Sequence, residues 1–156
     1  MKEAEIALVN QGEGCTIYTI QFLMDTDSEF EKFVNKFKND AELNTDFQRL
    51  IGVLGKIAGE GAFERYFRLE GKVNDRVAAL PVMQSKLRLY CLRLSDKILI
   101  LGNGGIKKTQ TYQSDPLLQG YVLTLQRFDQ LLREGVENGS IEVTETSIET
   151  DNIFEL

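Results

Sequence analysis

The chain has 156 residues, 42% of them hydrophobic and 27% charged, and a net charge of −6, the scale of one globular domain with a substantial core. It contains no histidine, which excludes Ser-His-Asp and Cys-His nucleophile systems and His-ligated zinc, so any chemistry must rest on Lys, Arg, Tyr or carboxylates. No apolar run reaches the ~18 residues of a membrane span, and the two distant cysteines, Cys15 and Cys91, read as reduced thiols of a cytoplasmic protein.

Ile6–Val9 alternates weakly and predicts a short strand, followed by turn residues Asn10–Gly14. Thr16–Met24 alternates throughout and predicts a second strand. Asp25–Ser28 supplies capping residues for a helix carrying Phe30, Phe33, Val34 and Phe37. A second helix follows on Leu43, Phe47, Leu50, Ile51, Leu54 and Ile57, closed by Gly59 and Gly61. The pair is expected to form an αα-hairpin. Residues 62–85 show no clear period, but Phe63, Tyr66, Phe67 and Leu69 are interleaved with Arg65, Arg68 and Lys72.

Lys86–Leu94 is a strong strand, Ser95-Asp96 a turn and Lys97–Leu101 the return strand of a β-hairpin. The alternation slips near Cys91-Leu92, which calls for a bulge or burial on both faces. Asp115-Pro116 opens a helix, Asp as cap and Pro at the first position. It runs to about Glu134, with Gly135 and Asn138-Gly139 as its stop signals. The acidic segment from Ile141 to Leu156 is expected to add an edge strand or remain disordered. The whole is one domain, 1–156, with its core at about 15–134, an N-terminal extension over 1–14 and an acidic tail over 140–156.

Charge is unevenly placed. Residues 62–110 hold 10 Lys/Arg and 4 Asp/Glu, a net of +6, while 1–61 and 111–156 carry −5 and −7. A basic middle third is the footprint expected of nucleic-acid binding, weighed against an ordinary solvated face.

The stretch GNGGIKKTQ, Gly102–Gln110, invites a phosphate-loop reading. A P-loop needs GxxxxGK, yet the sixth position from Gly102 is Lys107. GxGxxG also fails, with Lys107 where glycine is required. No apolar-periodic helix begins until Asp115. The stretch instead predicts a strand that bends at Asn103–Gly105 and presents Lys107 and Lys108 beside Lys86 and Arg88.

The order strand, helix pair, LRLYCLRLSDKILIL, KKTQ and a helix opening at Asp-Pro resembles the RelE/HigB-like toxins of bacterial toxin–antitoxin pairs, over roughly Cys15 to Arg133. The resemblance implies an α+β domain whose antiparallel or mixed central sheet packs on the N-terminal αα-hairpin, with a C-terminal helix. It implies a metal-independent mRNA endonuclease that needs no cofactor, acts at the ribosome and is neutralised by a cognate antitoxin, with no DNA binding of its own. Arg88, Lys107 and Lys108 would bind phosphate, and Lys86 or Tyr90 would transfer the proton. Arg65, Arg68, Arg76 and Thr109 would extend the RNA track, with Tyr66 or Phe67 stacking on bases. The acidic tail would fold over the basic face as a shield. The alternatives are a catalytically inactive member serving as a protein-interaction module and a small-molecule enzyme using a helix–sheet cleft.

Overall fold

A computed structural model of the chain describes residues 1–70, 75–108 and 115–156. The strands are β1 Glu3–Gln11, β2 Thr16–Phe22, β3 Arg68–Leu69, β4 Val77–Leu80, β5 Leu87–Ser95, β6 Ile98–Ile106, β7 Glu142–Val143, β8 Ile148–Glu149 and β9 Phe154–Glu155. The helices are α1 Glu29–Phe37, α2 Asn44–Glu60 and α3 Pro116–Asn138.

Among the described residues seven strands form one sheet in the order β3-β4-β5-β6-β2-β1-β9, and β7 and β8 pair separately. Within the large sheet β2 and β6 run parallel, from Thr16 beside Ile98 to Thr19 beside Leu101, and the other neighbours are antiparallel. The sheet is therefore mixed.

Alternation along the central strands sends apolar side chains to both faces. Ile17, Leu87, Leu89, Cys91, Leu99 and Leu101 meet Phe33, Phe37, Phe47, Leu50 and Ile57 of α1 and α2. Tyr18, Ile20, Tyr90, Leu92, Ile98 and Ile100 meet Leu118, Val122, Leu125, Phe128 and Leu132 of α3. The result is three layers, with β5 buried on both sides as a central strand should be.

This corrects the expected architecture. The chain begins with the β1–β2 hairpin, and the sheet is not packed on an N-terminal αα-hairpin of the RelE/ParE kind. Each helix turns its apolar stripe to the sheet. α2 is pinned at both ends, where Lys86 N donates to Asp46 Oδ2 (2.9 Å) and Gly14 N donates to Ala58 O (2.9 Å). Helical periodicity shows which face is apolar, not which surface it covers.

Local signals hold at the caps. Ser28 and Glu31 form a reciprocal capping box on α1. Asp115 accepts from Leu117 N (3.0 Å) and Leu118 N (3.3 Å) at the start of α3. Of the two expected stops that helix passes Gly135 and ends at Asn138-Gly139, where Gly139 adopts φ 85°.

Residues 1–14 and 140–156 enter the fold as β1 and β7–β9. Ile141, Ile148 and Phe154 are buried on the α3 side, and Ile148 N donates to Tyr18 Oη (3.0 Å). Among the described residues no helix is long and apolar enough to cross a membrane.

Candidate anion site

The site grows from a bulge between β5 and β6. Leu89 pairs with Gly104 and Cys91 with Leu101, so β6 uses one residue more than β5 over the same span. The expected bend at Asn103–Gly105 is instead a continuous strand carrying this extra residue. Its effect on facing is visible in the glycines. A Cβ on Gly102 would lie 3.0 Å from Leu125, and one on Gly105 would lie 3.0 Å from Leu118, both residues of α3. Positions three apart thus face the same helix, because the extra residue reverses the alternation.

Arg88 pairs with Gly105 and shares the strand parity of Tyr90 and Leu92, on the α3 side of the sheet. It is 3% exposed. Its Nη1 donates to Ser85 O (3.0 Å) and Leu87 O (2.9 Å), whereas Nε is buried with no acceptor among the described residues. Arg88 forms no ion pair among them.

The nearest charges are mostly of the same sign. Burial, then Arg68, pushes the Arg88 guanidinium below its ordinary value. Burial, then Arg88 and Arg68, lowers the Lys107 ammonium. Burial raises the Glu70 carboxyl, against the pull of Lys107, Arg88 and Arg68. Among the described residues three cations thus act on one another and on a single carboxylate. Such a cluster can hold an anion by charge-assisted hydrogen bonds, with the guanidinium fork suited to a phosphate.

The other expected site residues fall into separate environments. Lys86 is exposed, and its carbonyl accepts from Lys107 N (2.7 Å), which sets the two lysines side by side at the open end of the hairpin. Lys108 is exposed next to them. Tyr90 is 2% exposed in the core beneath α3. Arg68 is half-buried, with Nε donating to Val82 O (3.1 Å). Arg65 lies over the rings of Phe63 (4.8 Å) and Tyr66 (5.0 Å), a local stack. Phe67 is buried against the α2 side of the sheet.

Arg76 forms a salt bridge to Asp129 of α3 (2.5 Å) and ties β4 to that helix. Thr109 and Lys72 lie outside the described residues.

Two further residues contribute to the surroundings of the site. Glu70 was one of only four acids in the basic segment, and that rarity was the available signal. Lys36 reaches from α1 to the edge of β6, where Nζ donates to Gly104 O (2.8 Å) and approaches Tyr121 Oη (3.2 Å). Nothing in the spacing of α1 announced that contact. The tail makes its contacts elsewhere, with Phe154 on Phe128 and Lys97 paired to Glu145.

No protein-family model matches the chain, and neither curated proteins nor solved structures gave a significant match.

Proposed function

We propose that the chain binds RNA, with Arg68, Arg88 and Lys107 holding its phosphates and Lys86 and Lys108 adding charge at the rim. The observation that carries the reading is Arg88, a buried guanidinium whose Nε lacks an acceptor and which has no ion-paired carboxylate among the described residues. Leaving a buried charged donor unmatched is costly, and an incoming phosphate oxygen would relieve that cost. In that role the chain acts as a toxin-like protein that meets mRNA at the ribosome and is restrained by a partner protein. Cleavage is not part of this proposal, because Tyr90 is core and Lys86 is a solvated side chain.

The test is fluorescence anisotropy with a labelled 12-nucleotide single-stranded RNA, using DNA of the same sequence as control. Three phosphate contacts give a salt slope of about −2, or roughly a 15-fold loss between 50 and 200 mM salt. Arg68→Ala and Lys107→Ala should each weaken binding about tenfold with an unchanged circular dichroism spectrum. Wild-type affinity in both variants would overturn the assignment, as would no binding at 50 mM salt.

A further inference from the structure

The second feature that calls for a ligand is the outer edge of β1. Its inner edge pairs with β2 from Ala4 to Gln11. On the outer side β9 pairs only with Glu3 and Ala4. Among the described residues no strand covers the backbone from Glu5 to Gln11.

Unpaired edges are usually blunted by lysine, proline or a covering segment. Here Ile6–Gln11 reads IALVNQ, with no charge and no proline. Among the described residues a bulge between Leu8 and Asn10 is the one protective device, and Leu8 is 58% and Val9 38% exposed.

Beside this edge runs a groove of about 530 Å³ between β1 and α1, with Ala7, Val9, Phe30 and Val34 among its walls. Among the described residues its single charged lining residue is Glu31. Glu5 pairs with Gln21, another lining residue, and so shares the groove's face. Open backbone, apolar walls and an acidic rim together specify a ligand.

We propose that the outer edge of β1 is a docking site for an extended segment of another protein. That segment adds a strand beside Glu5–Gln11, sets apolar side chains against Leu8, Val9 and Val34, and places a basic residue against Glu5 or Glu31. The edge supplies affinity through backbone hydrogen bonds and the groove supplies selectivity. The chain already uses the same edge this way, since β9 extends the sheet at Glu3 and Ala4. A second copy is the poorer occupant, because two-fold pairing would bring the acidic rims of residues 1–61, net −5, together. The proposal stands independently of the RNA reading.

The probe is the peptide Lys-Thr-Val-Thr-Val-Thr-Lys, whose Lys and Val side chains share one strand face, titrated into the full chain labelled with nitrogen-15, beside a peptide with Glu at both ends. The expected result is shifts at Glu5–Gln11, slower amide exchange there, and at least tenfold weaker binding of the Glu-ended peptide. Leu8→Lys and Val9→Lys, both at exposed positions, should each weaken the Lys-ended peptide about tenfold while RNA binding stays unchanged. Equal affinity for both peptides would overturn the proposal, as would no response at β1. So would self-association in sedimentation that Leu8→Lys abolishes, since the edge would then serve a second copy.

Discussion

A Cβ on Gly104 would overlap the backbone carbonyl of Arg88, so glycine is what lets β6 lie against β5 at this point. The nearest atoms to a Cβ on Gly102 or Gly105 belong to leucine side chains of α3. Gly104→Ala is therefore expected to cost about 2–3 kcal/mol, and Gly102→Ala or Gly105→Ala about 1 kcal/mol each. Urea denaturation monitored by circular dichroism measures the order. Equal costs would mean that the ladder gives way as easily as the leucines.

The Arg76–Asp129 pair is an anchor and not part of the anion site. Asp129 is 2% exposed and also accepts from Arg76 N (3.3 Å). Asp129→Ala should destabilise by about 3 kcal/mol, because it strands the arginine beside a hydrophobic layer. Lys97→Ala, which breaks the exposed pair with Glu145, should cost under about 1 kcal/mol. Arg76→Ala should leave RNA affinity within about threefold of wild type, a result that separates it from Arg68 and Lys107.

Glu70 sets a pH dependence of known sign. Burial raises its carboxyl above the ordinary 4.5, so the folded value exceeds the unfolded one. Its neutral form stabilises the fold; that contribution is complete below the unfolded value and is lost as pH rises through the folded value. Protonation also takes the cluster from two net positive charges to three. RNA affinity should therefore rise as pH falls through the raised Glu70 value. Glu70→Gln should bind about fivefold tighter at neutral pH, flatten the profile and raise stability there. An unchanged profile in Glu70→Gln would remove Glu70 from the site.

Neither thiol is poised for chemistry. Cys15 is buried and pushed up to about 11, chiefly by desolvation, and Cys91 is fully buried and raised further. Thiolate is the reactive form, so both should resist Ellman's reagent at pH 8 in the folded chain and react together on unfolding. Rapid native labelling of either would contradict the packing around it.

The acidic tail was expected to shield the basic face, but its buried residues are part of the α3 layer. Phe154 lies 4.6 Å from Phe128 between ring centroids. Phe154→Ala should cost about 3 kcal/mol and leave RNA affinity unchanged in the folded chain. A gain in affinity would restore the shield.

What could be read ahead of the structure was local. The alternation of Thr16–Phe22, the hairpin of β5 and β6, the Ser28 cap and the Asp115-Pro116 helix start each follow from neighbouring residues. β1 is longer than its sequence suggests because EAEIALVNQ lacks clean alternation, and the tail strands are only two residues long. Gly135 looked like a stop, yet it is the point where Ile141 packs against α3, leaving no room for a side chain. Burial of Arg88 was hidden for a different reason. A strand arginine reads as surface unless both faces of its strand are known to be covered, and that depends on where α3 returns. Sheet order had no local signal either, since β2 and β6 are joined only in space.

That last pairing has a temporal consequence. Thr19 Oγ1 donates to Leu101 O (2.7 Å), and the two residues are 82 positions apart. The β1–β2 hairpin leaves the ribosome early, but its central neighbour is not made until residues 98–101 emerge. Until then one edge of β2 has no partner, and the nascent hairpin is vulnerable to association with other chains. Parallel contacts between such distant residues also close slowly, which points to refolding in milliseconds to seconds rather than microseconds.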